Sequence, residues 1–373
     1  MIVCIKMKKL FSLSLLIIVV FTLLSCKNNT VPEYQPTDIS TEDIEIFDNN
    51  TEKTTEKPTE KATEPPVDNE LINSSNMLMA HDQLGERLVI YDLDAFENGK
   101  NLDDIEAFSI KTGHAAGLKY REDTVLGNVI LVAGSRSAII SYPTGKRIWY
   151  TSDPGSNPHS IEMLPSGNIV IASSSDGLLR LFKTSALVDK DRDVAKTYTD
   201  YKLDDAHGVL WDPEYQILWA LGAYDLKAFS VVGEGSEESL VEVPQMSIKL
   251  PEGKYWGHDL SADYTDTRYL YITVGSCIMR FDKENLSLIE DFPHSDLINR
   301  SNVKGFSNNI SGNFFATGET GGEGCEWQDW WKASWCTNII YYYRTNGETL
   351  EKITLTTEKS AFYKARAFCG RYQ

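Results

Sequence analysis

From Met77 to the C-terminus the apolar residues fall in short runs broken by polar turns, and no stretch carries the spacing of an amphipathic helix of any length. The unit is clearest at Asn157 to Phe182, NPHSIEMLPSGNIVIASSSDGLLRLF: a strand after a histidine, a Pro-Ser-Gly turn, an Ile/Val strand, a polar turn and a third strand. Pieces of this plan recur. His114 opens HAAGL, His159 HSIEML, His207 HGVLW, His258 HDLSA, Lys304 KGFSN and Lys364 KARAF. These anchors stand about 45 to 60 residues apart, the period of one four-stranded propeller blade.

After each anchor the pattern predicts further strands. They run Asn128 to Ala133 and Ala138 to Ser141, with a hairpin over YPTGKRIWY; then Asn168 to Ala172 and Leu178 to Phe182; then Gln216 to Leu221 and Leu226 to Val232. Arg268 to Val274, Cys277 to Asp282, Asn313 to Thr317, Asn338 to Arg344 and Thr349 to Thr356 complete the set. The two ends explain each other. MLMAHDQLGERLVIYDLD, from Met77, gives strands with no anchor strand ahead of them, and the chain finishes on YKARAFCG, an anchor strand with nothing after it. Joined, they make one blade. The expectation is therefore an all-β, six-bladed β-propeller over residues 77–373, with five blades whole and one composite, closed by the last strand. Closure removes the open sheet edges that invite aggregation.

The chain opens MIVCIKMKKLFSLSLLIIVVFTLLSC. Lys6, Lys8 and Lys9 form a basic n-region, with Met7 an alternative start, and Leu10 to Leu24 is apolar but short for a bilayer span. Residues 1–25 thus read as an export signal. Leu23-Leu24-Ser25-Cys26 resembles the lipobox of bacterial lipoproteins, which implies that Cys26 becomes the lipidated first residue and holds the protein on the extracytoplasmic side of a bacterial membrane. Residues 26–76, including TEKTTEKPTEKATEPP, have little to bury and are expected to form a disordered stalk. A coil of about 50 residues reaches roughly 40 Å.

The formal charge of −18 argues against a nucleic-acid partner, since phosphate binding needs a basic stripe. Export also puts the cysteines where disulfides persist. Cys325 and Cys336 bracket a short loop and are expected to pair, a closure worth about 3 kcal/mol in the chain-entropy picture. Cys277 and Cys369 remain, and no cysteine spacing resembles a zinc site.

In an antiparallel blade the start of the innermost strand and the loop between the second and third strands lie on one face of the disc. His114, His159, His207, His258, Lys304 and Lys364 are therefore expected to ring the mouth of the central channel. The loops add His81, Asp82, Gln83, Arg136, Asp176, Tyr224, Asp225 and Glu319, and one long loop carries Trp327, Trp330, Trp331 and Trp335. Three chemistries suit such a funnel. His114, His159, His207 and His258 are candidate ligands for a divalent metal (Mn, Ca or Zn), and Lys304 and Lys364 then suit an anionic substrate held beside it. Neutralising a uronate carboxylate acidifies the neighbouring C–H, so His159, His207, Lys304 or Lys364 is a candidate catalytic base of a metal-dependent polysaccharide lyase. Alternatively one histidine serves as a nucleophile in sulfuryl transfer. The third reading is binding alone, with Asp82, Gln83, Arg136, Asp176, Tyr224, Glu319, Trp327 and Trp330 meeting a glycan or small anionic ligand. A non-catalytic scaffold that binds protein is the rival from another class.

The motifs MLMAHDQLGERLVIYDLD, NPHSIEMLPSGNIVIASS and KARAF resemble, in that order, the six-bladed propeller lipoproteins of unknown function found in gut and soil bacteria. That resemblance implies the fold and no reaction. The ring of channel histidines is similar to that of the metal-dependent oligogalacturonate lyases, whose propeller has seven blades, and HSIEMLPSGNIVI resembles a strand of bacterial arylsulfotransferases.

Overall fold

The computed structural model describes residues 76–96, 100–183, 197–318 and 335–372. Among them the strands form six antiparallel sheets, five of four strands and one of five. Blade 1 is the composite: Phe362–Ala367 lies innermost, followed by Met77–Asp82, Arg87–Asp92 and Glu106–Lys111. The last strand thus closes the ring inside the first unit, as the unmatched ends required. The inner strands of blades 2 to 6 are Ala115–Thr124, Pro158–Met163, Gly208–Asp212, Gly257–Ala262 and Val303–Asn308.

Each strand turns one face to each neighbouring blade, so the alternate residues of a fully apolar run all find a core. Among the described residues each of the six blade junctions holds a hydrophobic cluster. Val129, Leu131, Ile161 and Ile171 join blades 2 and 3; Trp219, Leu221, Leu260 and Phe281 join blades 4 and 5; Leu78, Val89, Phe315 and Tyr342 join blade 1 to blade 6. This double burial explains why runs such as NVILVA were legible as strands. The outermost strands were not all legible. Tyr198–Lys202, Ser239–Glu242 and Ser287–Ile289 consist mostly of exposed and half-buried residues, and a half-solvated edge needs no apolar alternation.

The inner edge of each sheet has no further strand to pair with. Side chains of the neighbouring blade cap it instead: Ser160 Oγ accepts from Val209 N at 3.2 Å, Asp259 Oδ2 from Phe306 N at 3.0 Å, and Ser307 Oγ from Ala367 N at 2.9 Å. Glycine supplies the remaining closeness. A side chain at Gly117 would strike the carbonyl of His159, and one at Gly305 would press on Lys364.

Candidate functional site

The mouth of the channel is built at one register position, a bulge near the start of the inner strands. Pairing steps from Pro158–Ser173 to Ser160–Ala172 in blade 3, from Gly257–Val274 to Asp259–Thr273 in blade 5, and from Val303–Gly318 to Gly305–Thr317 in blade 6. The residue left over is His159, His258 or Lys304, and the bulge re-aims its side chain. His207 stands just ahead of its strand, its N–H on Leu221 O at 2.8 Å. In blade 1, Tyr363 and Lys364 lie at the step from Asp82–Phe362 to Ala80–Ala365.

Blade 2 corrects the expectation for His114. Its pairing steps from Ala115–Gly134 to Gly117–Ala133, which puts Ala116 at the bulge. His114 lies two residues earlier, exposed, with Nε2 3.1 Å from Glu86. The basic side chains accordingly form an arc of five, not a ring of six.

Along the arc the imidazoles of His159 and His207 stack with centroids 4.0 Å apart, and His207 meets His258 edge-on at 5.7 Å. Lys304 Nζ stands 3.1 Å from His258 Nε2, the geometry of an ammonium donating to an imidazole. That bond leaves the ring proton on His258 Nδ1, a buried atom with no partner. Lys364 Nζ donates to His258 O at 2.7 Å and lies 3.2 Å from Asp259 Oδ1. His207 Nδ1 donates to Asp205 O at 2.9 Å.

Burial and neighbouring cations keep these imidazoles neutral. His207 is pushed down to about 3, first by burial and then by Lys364. His258 falls to about 2 from burial and Lys304, and His159 lies well below the ordinary range from burial and His207. Burial also lowers the Lys364 ammonium to about 8 against the pull of Asp259. Asp205, half-buried at the rim, is raised to about 6 by burial.

The gap at Ala116 is filled by an apolar patch. Ala116 and Leu84 pack with Tyr363, Ala361 and the buried Cys336. Tyr363 then reaches across to His159, centroids 5.5 Å apart, and carries Trp335 edge-on at 5.6 Å. Trp335 is 43% exposed. A second aromatic group packs Tyr224 against Tyr255 at 5.1 Å and Trp256 at 5.7 Å, the last two just ahead of His258 in the chain. The mouth therefore joins an arc of neutral imidazoles and two lysines to an aromatic wall.

The loop residues separate into several groups. Asp82 accepts from Leu84 N, Gly85 N, Arg87 Nε, Ser360 Oγ and Ala361 N, and so fastens the turn before the closing strand. Gln83 donates to Ala115 O and its own N–H bonds Ala361 O. His81 is buried with Nε2 2.7 Å from Gly113 O, and burial lowers it to about 4. Asp176 accepts from Ser156 N at 2.6 Å, Arg136 is exposed, and Tyr224 joins an aromatic group. Glu319, Trp327, Trp330, Cys325 and Cys26 lie outside the described residues, and with them the expected Cys325–Cys336 pair and the lipid site.

Among the described residues no three His, Cys, Asp or Glu side chains are placed to hold a metal ion. The Nε2 of His258 is met by an ammonium, and His114 stands apart from the other three, so the histidines expected as ligands do not form one set. Several residues that shape the mouth escaped sequence reasoning: Asp259, Tyr363, Arg366 and Trp256. All four adjoin an anchor or lie two residues from it, which was the available signal.

The family described as a family of unknown function, DUF6528, matches residues 124–312. The chain belongs to that family. No curated protein matches it. Among solved structures, this DUF6528 member is similar to a protein of unknown function from Bacteroides caccae, at 10% identity and a TM-score of 0.49, covering 78% of this chain and 97% of that one. It is also similar to a functionally unknown protein from Desulfotomaculum acetoxidans DSM 771, at 11% identity and a TM-score of 0.44, covering 74% and 82%.

Proposed function

We propose that this propeller binds an anionic glycan at the channel mouth, a uronate or sulfated sugar whose charged group meets Lys304 and the His258 side of the arc. The observation that carries the reading is the joining of ammonium groups and neutral imidazoles to an aromatic wall. A sugar acid has both an anionic group and an apolar C–H face, and Trp335 on Tyr363 offers a surface to stack that face. Asp259 is buried among Lys364, Arg366 and Phe306 N, so its charge is already spent on the protein.

Binding is favoured over processing. A general base works best with a pKa near the working pH, whereas His207 sits at about 3 and His258 at about 2. Lys364, at about 8, is closest but already bonds His258 O and Asp259. In the same reading a lipid on Cys26 and the stalk of residues 26–76 present the mouth at the bacterial surface.

Calorimetric titration of the chain with oligogalacturonate and with a sulfated disaccharide tests this. Lys304→Ala removes a charge-assisted bond worth about 1.5–3 kcal/mol, roughly a tenfold or greater loss of affinity. Trp335→Ala is expected to weaken binding as well. Neutral oligosaccharides binding equally well, or unchanged affinity in Lys304→Ala, would return the propeller to a scaffold. Release of unsaturated uronate during the titration would establish a lyase.

A further inference from the structure

Below the arc residues of the inner strands line a small cavity, and its chemistry differs from that of the mouth. The charged residues lining it are all cationic: Lys119, Arg121 and Arg366. Their counter-ions stand behind them and are shared. Glu162 serves both Lys119, at 2.9 Å, and Arg121, at 2.6 Å, while Asp259 serves both Lys364 and Arg366. Four buried cationic side chains thus divide two carboxylates. An uncompensated buried charge is costly, so such an axis calls for an anion.

A second observation points to the same place. Arg366 Nε, Ser261 Oγ and Tyr120 Oη are buried and have no hydrogen-bond partner, and all three residues line this cavity. Arg366 is 7% exposed, Ser261 5% and Tyr120 2%. Buried donors of this kind normally find a partner. The cations also repel one another: burial lowers Lys119 to about 7, and Arg121 and Arg366 add to the effect.

From beneath, the chain terminus crosses the axis. Gly370 O accepts from Glu122 N at 3.0 Å, Arg371 O from Tyr264 Oη at 3.3 Å, and the Tyr372 ring lies 4.8 Å from the Arg121 guanidinium. The space left suits a water-sized or halide-sized species, not a sugar.

We propose that this cavity is a halide site, in which one chloride accepts from Arg366 Nε and the Ser261 hydroxyl and supplies the negative charge the axis lacks. Its contacts come from inner strands of blades 1 and 5, beside Lys119 and Arg121 of blade 2. The ion therefore cross-links the ring from within. Water also fits the space but supplies no charge, which makes water alone the competing occupant.

The test is thermal unfolding of the full chain at constant ionic strength, exchanging gluconate for bromide, together with bromine anomalous diffraction from crystals grown in bromide. The melting temperature is expected to climb with the logarithm of bromide concentration above the dissociation constant. That response should shrink in Ser261→Ala and persist in Lys304→Ala, which alters the mouth alone. A bromine peak within hydrogen-bond reach of Arg366 Nε and Ser261 Oγ supports the proposal. Water at that position in bromide crystals, or a response lost in Lys304→Ala and kept in Ser261→Ala, overturns it. Neither result bears on whether the mouth binds a glycan.

Discussion

The two tiers of the channel are built from the same inner strands, a few residues apart, and are almost equally buried. In the lower tier Glu162 accepts from Lys119, Arg121 and Trp211 N, so its charge is spent on holding blades 2, 3 and 4 together. Burial alone pushes that carboxyl up, but Arg121 and Lys119 together hold it down to about 2. In the upper tier the basic groups meet imidazoles and aromatic rings, with Asp259 beneath them and Asp205 at the rim. Burial by itself therefore says little about role. What separates the two tiers is the kind of partner: a carboxylate shared between cations below, imidazoles and aromatic rings above.

The sharpest way to break this comparison is Glu162→Gln. It leaves Lys119 and Arg121 buried without their carboxylate, an expected loss of about 3–5 kcal/mol by urea unfolding. A loss under about 1 kcal/mol would mean that the lower tier is held by packing instead.

Ala116→His tests the upper tier from the opposite direction, by placing a sixth basic residue where Ala116 now packs on Leu84 and Tyr363. Overpacking is expected to cost about 1–3 kcal/mol and to displace Tyr363. Glycan affinity should fall even though a basic group has been added, because the aromatic wall is disturbed.

The pH dependence follows from the arc. His207 has a folded pKa of about 3 against 6.5 unfolded, so the unfolded chain binds more protons between those values and stability falls as pH falls. Each such histidine contributes about 1.4 kcal/mol per pH unit within that window. Asp205 acts in the opposite sense between about 6 and 3.8 because its folded pKa is raised. Lys364, lowered to about 8 from 10.5, adds stability as pH rises through that alkaline interval. The melting temperature should drop from pH 6.5 to pH 5, and His207→Gln should flatten the slope; an unchanged slope would mean the imidazoles are hydrated.

The smallest effect is expected from Arg136→Ala. The side chain is exposed on a loop, so stability should stay within about 0.5 kcal/mol by urea titration. Glycan affinity should be unchanged in the same calorimetric assay.

Most strands were legible because each is apolar on both faces, and Leu178–Phe182 was predicted to the residue. Three of the outer strands, Tyr198–Lys202, Ser239–Glu242 and Ser287–Ile289, were not, since their composition is that of a loop. The mouth was partly legible. Five of six anchors fell at equivalent places, but HAAGL misled: an inner-strand bulge shifts the register, and only the pairing of Gly117 with Ala133 reveals that Ala116 holds the position. Asp82 and Gln83, expected to meet substrate, bond the turn around Ala361, a neighbour in space but some 280 residues away in the chain.

What the sequence determined on its own was the repeat, its alternation of buried and polar positions, and the unmatched ends that close the ring, because all three are periodic and local. The tertiary structure alone decided which charges neutralise one another. Glu162 meets Arg121 across 41 positions and Asp259 meets Arg366 across 107. Electrostatic pairing depends on distance through space, and only the closing of the ring brings those partners together.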